Sequence, residues 1–254
     1  MKLDSIVEYM DGFLGVRGHP DYAPAMNGLQ VEGRSEIARV AAAVDTSVAT
    51  ITAAKEADAD LLLVHHGLFW GGSAPLTGPL FRRVRTLLEG DVALYSCHLP
   101  LDGHPEVGNC ALLAKELGLR TDASTRVGTY KDTPIGWWGT LPEPGGVDDL
   151  AQRLRDVVDG PVHVIPGGPE RVERVGVVTG GGASFVQEAA RLGLDALVTG
   201  EGAHHTHIDA MEWGIHVLFG GHYATETFGV RALAEHVSER FGLDWIFIDR
   251  PTGL

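Results

Sequence analysis

Leu61-Leu62-Leu63-Val64-His65-His66-Gly67 is the stretch that decides the fold of this chain. Four consecutive apolar residues without a charge predict a short strand that is buried on both faces. The histidines then stand at the carboxyl end of the strand, where open α/β sheets place their ligands. Because neighbouring strand residues face opposite sides, both imidazoles can reach one site only if the chain leaves the sheet here, which Gly67 permits. The pair predicts a metal site, against the alternative of two loop histidines with nothing bound.

The composition is ordinary for a globular chain of 254 residues, with 44% hydrophobic and 21% charged residues. That length suits one large domain or two small ones. The net charge of −14, from 34 acidic and 20 basic residues, disfavours a nucleic-acid partner, because such proteins carry a basic face. No apolar run approaches the roughly 18 residues of a membrane span, so we expect no membrane partner.

The cysteine content and the first residues indicate the cellular compartment. Two cysteines, Cys97 and Cys110, are too few for a disulfide framework. Residues 1–12 contain three acidic side chains and no apolar core of a secretory signal. We therefore expect a reduced, cytoplasmic setting.

The first half of the chain alternates between predicted helices and strands. An amphipathic helix over 3–14 precedes a strand at 39–44, after which Asp45-Thr46-Ser47 supplies capping residues for a second helix. Gly71-Gly72 begins a loop rich in proline and glycine, and a further strand at 92–97 leads to His98. This order predicts an α/β fold.

The second half replays that order in register. Arg39-Val40 aligns with Arg174-Val175, and Asp60 aligns with Asp195, both at an offset of 135 residues. A constant register across a strand, a helix and a loop seldom arises by chance. We therefore predict two similar α/β domains related by internal duplication.

The duplication divides the chain into residues 1–125 and 126–254, with the last helix and strand able to pack across that boundary. The symmetry is broken at the end of the buried strand, where His65-His66 of the first copy faces Gly200-Glu201 of the second. The second copy therefore lacks the histidine pair.

A histidine and a carboxylate recur four residues apart at equivalent places in the two copies. His98 aligns with His222, and Asp102 aligns with Glu226, both at an offset of 124 residues. Each pair runs from the end of a strand into the first turn of a helix, where residues four apart face the same way. A carboxylate there can also serve the helix dipole alone. The repetition of the pair argues for a site.

The candidate ligands share imidazole or carboxylate chemistry and number six: His65, His66, His98, Asp102, His222 and Glu226. One tetrahedral ion would need only three or four of them. Six ligands, with carboxylates able to bridge, fit two divalent ions roughly 3.5–4 Å apart, as in two-metal hydrolases. Zinc, manganese, iron and nickel remain open, because imidazole and carboxylate do not separate them.

The segment Glu201 to His207 is dense in polar groups and follows the buried strand of the second copy. It offers either contacts to ligands and substrate or a solvated loop. Within it, Glu201 and His204 are the candidate catalytic groups for proton transfer. The remaining histidines are expected to be structural or exposed: His19, His104, His163, His216 and His236.

Four stretches together resemble a known family: Asn27-Gly28-Leu29-Gln30-Val31, His65-His66-Gly67, His98 to Asp102, and Gly221-His222-Tyr223-Ala224-Thr225-Glu226. They are similar to the Nif-three-like (YbgI-type) dinuclear metal-centre family, whose members are often labelled type 2 homologues of GTP cyclohydrolase I. The resemblance covers the whole chain. One departure is Leu99, where the family often has threonine.

The resemblance implies the Nif-three-like fold and a homohexamer in which the chain associates with itself as a ring. It also implies that the metal ligands are His65, His66, Asp102, His222 and Glu226, with His98 next to the metals.

We expect an enzyme, a metal-dependent hydrolase that acts on a small polar or nucleotide-like substrate and holds two divalent metal ions per subunit. The alternative is a non-catalytic metal-binding or interaction protein. Structural metal sites are closed, whereas catalytic ones keep a position for water, so coordination separates the two hypotheses.

Overall fold

The computed structural model describes residues 1–23, 25–70 and 74–254. Helices and strands are organised around two separate sheets, which confirms the predicted α/β class. The chain forms two compact units. Unit 1 comprises Met1–Leu101 and Gly229–Arg250, and unit 2 comprises Asp102–Phe228 and Pro251–Leu254.

The strands are, in chain order, β1 (Gly28–Val31), β2 (Arg39–Asp45), β3 (Leu61–His66), β4 (Ala93–Ser96), β5 (Arg126–Tyr130), β6 (Thr133–Gly145), β7 (His163–Pro166), β8 (Val172–Val178), β9 (Ala196–Thr199), β10 (His216–Phe219) and β11 (Asp244–Phe247). The helices are α1 (Leu3–Phe13), α2 (Val48–Glu56), α3 (Gly78–Gly90), α4 (Leu99–Asp102), α5 (Asn109–Glu116), α6 (Val147–Val158), α7 (Val186–Arg191), α8 (His205–Trp213), α9 (His222–Thr225) and α10 (Thr227–Phe241). A short 3-10 helix lies at Gly182–Phe185. Among the described residues, no helix has both the length and the apolar character of a membrane span.

The sheet of unit 1 has the strand order β1-β4-β3-β2-β11. All neighbours are parallel except β1, which runs antiparallel to β4. The apolar part of β3, Leu61 to Val64, is almost fully buried, as its sequence predicts. Ile51 of α2 and Leu87 of α3 belong to the same apolar core. Helix α2 begins where predicted, because the Ser47 hydroxyl accepts the Thr50 N–H at 3.0 Å.

The sheet of unit 2 has the order β5-β6-β8-β9-β10-β7. Its parallel centre, β8-β9-β10, is flanked by antiparallel β6 on one side and antiparallel β7 on the other. Leu150 and Leu154 of α6 pack into a core with Val175 and Val198 of the sheet. The amphipathic spacing of α6 therefore buries one helix stripe against the sheet.

The duplication is visible in the hydrogen bonds of the two units. In unit 1, the Asp60 carboxylate accepts the N–H groups of Ala38 and Arg39 at 2.8 and 3.0 Å. In unit 2, the Asp195 carboxylate accepts those of Glu173 and Arg174 at 2.9 and 2.8 Å. All three positions differ by 135 residues (195−60, 173−38 and 174−39). The two copies therefore share backbone hydrogen bonds as well as a sequence pattern.

Some local predictions differ from the structure. The sequence predicts one continuous helix over 225–241, but this helix is broken at Glu226, which separates α9 from α10. Strand β5 was not predicted from the sequence, and the loop predicted from Gly71-Gly72 begins outside the described residues. Strand β11 pairs in parallel with β2 and belongs to unit 1, as the expected packing of the last strand across the boundary allows. The division into the duplicated halves 1–125 and 126–254 remains a prediction.

Candidate metal centre

Three histidines converge in unit 1. His65 and His66 are the last two residues of β3, and His98 follows β4 immediately before α4. Their ring centroids lie 4.8 Å (His65–His66), 5.0 Å (His65–His98) and 5.7 Å (His66–His98) apart. One potential ligand nitrogen from each ring lies within 4.8 Å of the others. His65 is fully buried and His66 is half-buried, so the cluster lies at the margin of the unit 1 core.

The chain leaves the sheet directly after the histidine pair, because β3 ends at His66 and Gly67 lies outside the strand. His66 still pairs with Asp45 across β2 and β3. Gly67 follows, and a Cβ atom there would lie 2.5 Å from the Ser96 hydroxyl. The two histidines are the last residues of the strand. Both imidazoles can therefore reach the same end of the sheet, and their ring centroids lie 4.8 Å apart.

Each of these rings donates through its Nδ1 atom to an oxygen that can only accept. His65 Nδ1 lies 2.9 Å from the Cys97 carbonyl oxygen. His66 Nδ1 lies 2.8 Å from Asp45 Oδ1, and His98 Nδ1 lies 2.8 Å from Asp21 Oδ1. Since a carbonyl or a carboxylate oxygen accepts from Nδ1–H, the proton of the neutral ring stays on Nδ1 and the lone pair is on Nε2. A metal ion can then bind at Nε2.

Asp21 ties His98 to the loop that precedes β1. Burial alone raises the pKa of the Asp21 carboxyl, but hydrogen bonds from His98, Asn27 and the Tyr22 N–H outweigh burial and hold the pKa below its ordinary value. Asn27 also accepts the His98 backbone N–H at 2.7 Å. The second Asp21 oxygen accepts the Leu99 N–H at 3.1 Å. The ring and the backbone of His98 are therefore both fixed.

Unit 2 carries the second histidine–carboxylate pair. His222 begins α9, and its Nε2 lies 3.2 Å from Glu226 Oε1, four residues later. Its Nδ1 lies 2.9 Å from Glu201 Oε1. Burial lowers the pKa of His222, but the hydrogen bonds and charges of Glu226 and Glu201 outweigh burial and raise the pKa to about 9. In the metal-free protein the ring is an imidazolium at neutral pH, so a metal must displace a proton to bind.

Asp102 is the other candidate carboxylate ligand of unit 2 and ends α4. Its Oδ1 atom accepts the Thr179 hydroxyl at 3.0 Å and the Asn109 amide at 2.9 Å. The side chain is buried, and a carboxylate oxygen of Asp102 lies within 4.8 Å of one of Glu226. Two buried carboxylates this close repel each other unless a cation or a proton lies nearby.

The whole chain matches one family. The model of the Duf34/NIF3 (NGG1p interacting factor 3) family matches residues 1–253. The chain belongs to the NIF3 family. It is 47% identical over 251 residues to a GTP cyclohydrolase 1 type 2 homolog of Deinococcus radiodurans, with 99% of this chain and 94% of the relative covered.

Solved structures of NIF3-like proteins have the same fold. The structure of the protein ybgI is 39% identical to this NIF3 chain, with a TM-score of 0.92 and complete coverage of both chains. The structure of TTHA1606 from Thermus thermophilus is 41% identical, with a TM-score of 0.89 and complete coverage of both chains. The resemblance seen in the sequence is therefore confirmed for family and fold.

The donor chemistry of this NIF3 chain fits metal ions. The groups that could hold an ion comprise four imidazoles and two carboxylates, which suit borderline divalent metals. Acceptors at Nδ1 orient all four imidazoles, and in the neutral rings of His65, His66 and His98 they leave Nε2 for a metal. Within unit 1 the structure brings His65, His66 and His98 together, and within unit 2 it places Asp102 and His222 beside Glu226, while the role of all six residues as ligands stays a prediction.

Sequence reasoning missed the residues that hold the candidate ligands: Asp21, Asn27, Asp45, Asn109 and Thr179. Asp45 was interpreted as part of a helix cap, yet Ser47 performs the capping and Asp45 orients His66. Asn27 stood in a quoted motif without a role. For Asp21 and Asn109 no local signal exists, because their partners are supplied by the fold.

The two candidate catalytic groups lie on the loop after β9. Glu201 orients His222 through the 2.9 Å contact to Nδ1. His204 is exposed and precedes α8 directly. A role in proton transfer stays a prediction for both residues.

Proposed function

We propose that this NIF3 protein binds two divalent ions per chain and is a metal-dependent hydrolase of a small polar or nucleotide-like substrate. The observation that carries the proposal is shared by four histidines. Each candidate imidazole ligand donates Nδ1–H to an oxygen acceptor, and three of the four acceptors are carboxylates. Histidine–carboxylate pairs of this kind are typical of metal sites, where they orient the ring and raise its basicity.

The ligand count supports two ions. Four imidazoles and two carboxylates exceed the four ligands of a closed tetrahedral site. Shared between two ions, six ligands leave coordination positions for substrate and water, which favours catalysis over a structural role. Zinc, manganese, iron and nickel all accept this donor set.

The division of labour among the residues follows from their contacts. Bound divalent ions would supply Lewis-acid polarisation of the substrate and a nucleophile at neutral pH. Asp102 and Glu226 contribute negative charge, and Thr179 and Asn109 fix the orientation of Asp102. Glu201 holds the His222 ring. His204 is exposed and follows Glu201 by three residues in the chain. It is the candidate for moving a proton to or from the substrate.

A nucleotide-like substrate agrees with the name carried by the curated relatives, GTP cyclohydrolase 1 type 2 homolog. The substrate screen should therefore begin with GTP and continue with other phosphorylated and cyclic amide compounds. Hydrolysis of any of them that requires the added metal supports an enzyme. A protein that holds two ions tightly and turns over nothing across the screen would favour the non-catalytic alternative.

Elemental analysis of the purified and metal-reloaded protein tests the metal proposal. We expect about two ions per chain in the wild type and fewer in Glu226→Ala and Asp102→Ala, while His205→Ala, an exposed histidine outside the set, keeps both. Wild-type protein that retains no metal after reloading would overturn the proposal. Circular dichroism of each variant separates metal loss from unfolding.

We also propose that the chain works in the cytoplasm as a homohexamer. Leu76, Phe81 and Leu88 are exposed apolar side chains on and before α3. They support self-association, because exposed apolar surface of this kind marks protein–protein contact sites. Native mass spectrometry should give six chains per particle, and a monomer at micromolar concentration would contradict the assembly. Fractionation of cells that produce the tagged protein checks the location.

A further inference from the structure

A cavity of about 310 Å³ opens in unit 2, on residues outside the candidate metal ligands. This volume matches the lower end of pockets that bind small molecules. The lining comes from strands β7 and β10, from the loop between β9 and α8, and from the first turn of α8. The chemistry of its walls defines the ligand it would take.

One wall is a flat aromatic surface. The register of β7 and β10 sets His163 opposite Phe219, and directly opposite residues share one face of the sheet. Their rings stack with centroids 5.9 Å apart and an interplanar angle of 17°. Phe219 is only partly buried. A planar ring can therefore extend this stack.

The lining also carries hydrogen-bond donors. His204 immediately precedes α8, and His207 lies three residues later, so both side chains fall on one face of the helix start. Both are exposed and both line the cavity. Each imidazole offers at least one N–H, and the amino end of α8 adds partial positive charge.

Gly202 fixes how closely the loop approaches the aromatic wall. A Cβ atom at this position would lie 2.6 Å from the Ala183 Cβ and 2.7 Å from the Phe219 Cζ. The loop backbone therefore rests against the ring edge, and only glycine allows that approach. The cavity is consequently shaped by close packing on one side.

The charge of the lining is unusual for this chain. A second cavity in unit 2, of about 340 Å³, is lined by Glu143, Asp149 and Asp156 against a single arginine, Arg153. That composition agrees with the net charge of −14. Among the described residues that line the cavity between Phe219 and α8, three are histidines and none is a carboxylate. An anion would meet donors there rather than repulsion.

We propose that this cavity binds a planar ring carrying an anionic group, a carboxylate or a phosphate, and that it holds this part of the substrate. Phe219 and His163 stack on the ring, and His204 and His207 donate to the anion. Glu201, which orients His222, directly precedes Gly202 in the loop that borders the cavity. The substrate role rests on the proposed function, whereas the binding of a planar anion does not.

Equilibrium dialysis with labelled benzoate and acetate tests the binding, since the two anions share a carboxylate and differ in the ring. With the full chain, before and after chelation, we expect benzoate to bind about tenfold more tightly than acetate. His204→Ala and His207→Ala should each weaken benzoate binding about fivefold, by loss of a hydrogen bond. Phe219→Leu should weaken benzoate binding and leave acetate unchanged. His205→Ala, on the same helix but outside the lining, should bind like the wild type.

Equal affinity for the two anions would overturn the aromatic part of the proposal. An effect of His205→Ala as large as that of its neighbours, or no saturable binding at millimolar benzoate, would overturn all of it. The metal content of the same samples keeps the two proposals apart. A chain that binds benzoate but retains no metal after reloading refutes the metal proposal alone, and a metal-loaded chain without benzoate binding refutes this one alone.

Discussion

The carboxyl ends of β3 and β9 occupy the same place in two copies of one repeat, yet they carry different chemistry. In unit 1, β3 ends in the His65-His66 pair, and the neighbouring strand β2 ends in Asp45, which orients His66. In unit 2, Glu201 stands at the place of His66 and orients His222 from there. The corresponding strand ends thus provide a candidate ligand in one copy and an orienting carboxylate in the other.

A second exchange accompanies the first. The residue equivalent to Asp45 at the offset of 135 (180−45) is Gly180. A Cβ atom at Gly180 would collide with the Glu226 carboxylate, so the glycine makes room for that side chain. The comparison teaches that duplication preserved the sheet and its backbone hydrogen bonds, while the polar residues at the strand ends diverged as a set.

Replacing the ligand position should have the largest effect on metal binding. His66→Ala removes a nitrogen ligand from the unit 1 cluster, and we expect zinc affinity to fall by more than about 100-fold, beyond the usual cost of an outer partner. Competition titration against a fluorescent chelator measures the affinity. Affinity within a few-fold of the wild type would show that His66 is not a ligand.

Replacing the equivalent position in unit 2 should have a smaller effect. Glu201→Ala removes the acceptor at His222 Nδ1 but no ligand, so we expect a loss of about 10- to 100-fold. Glu201→Gln keeps an oxygen acceptor and should recover most of the loss. If Glu201→Ala lost as much affinity as His66→Ala, Glu201 would be a ligand, and the two strand ends would be alike.

The structural equivalents Asp60 and Asp195 should affect stability and leave metal binding unchanged. Alanine at either position strands two backbone N–H groups, at a cost of about 1–3 kcal/mol. Asp60→Ala should cost more, because Asp60 is buried and also meets Arg34 at 2.9 Å. Urea unfolding of the two variants provides the comparison. A larger cost at Asp195 would break the equivalence.

The last prediction concerns pH in the metal-free protein. The pKa of His222 is raised to about 9 in the folded state, against roughly 6.5 in an unfolded chain. Its stabilising contribution is therefore complete below about pH 6.5 and disappears as pH rises through 9. The difference in unfolding free energy between wild type and His222→Asn should shrink across that range. A difference that grows with pH would contradict the sign.

The sequence predicted the parts of the site whose signal is local. His65-His66 follows an uninterrupted apolar run, and His98 with Asp102 recurs as His222 with Glu226, so register alone linked them. The acceptors escaped detection because they come from elsewhere in the chain. Asp21 meets His98 across 77 residues, and Thr179 meets Asp102 across the same separation. No periodicity connects such pairs, and only the folded topology brings them together.

The fold was predictable to a similar extent. Hydrophobic runs and the repeat identified the parallel strands that are buried on both faces. Strand β5 was missed because its sequence, RVGTY, contains no run of apolar residues. The helix break at Glu226 was missed because it depends on a buried carboxylate that tertiary contacts hold in place.

The pairing of β11 with β2 has a consequence for biosynthesis. Asp244 of β11 lies beside Arg39, so the unit 1 sheet is completed by residues that a ribosome makes 205 positions later in the chain (244−39). Residues 102–228 of unit 2 emerge earlier and can fold first. Until β11 is synthesised, β2 is an apolar strand with an unpaired edge, and such an edge can pair with strands of other chains. A nascent chain stalled before Asp244 should therefore depend on chaperones more than the finished protein does.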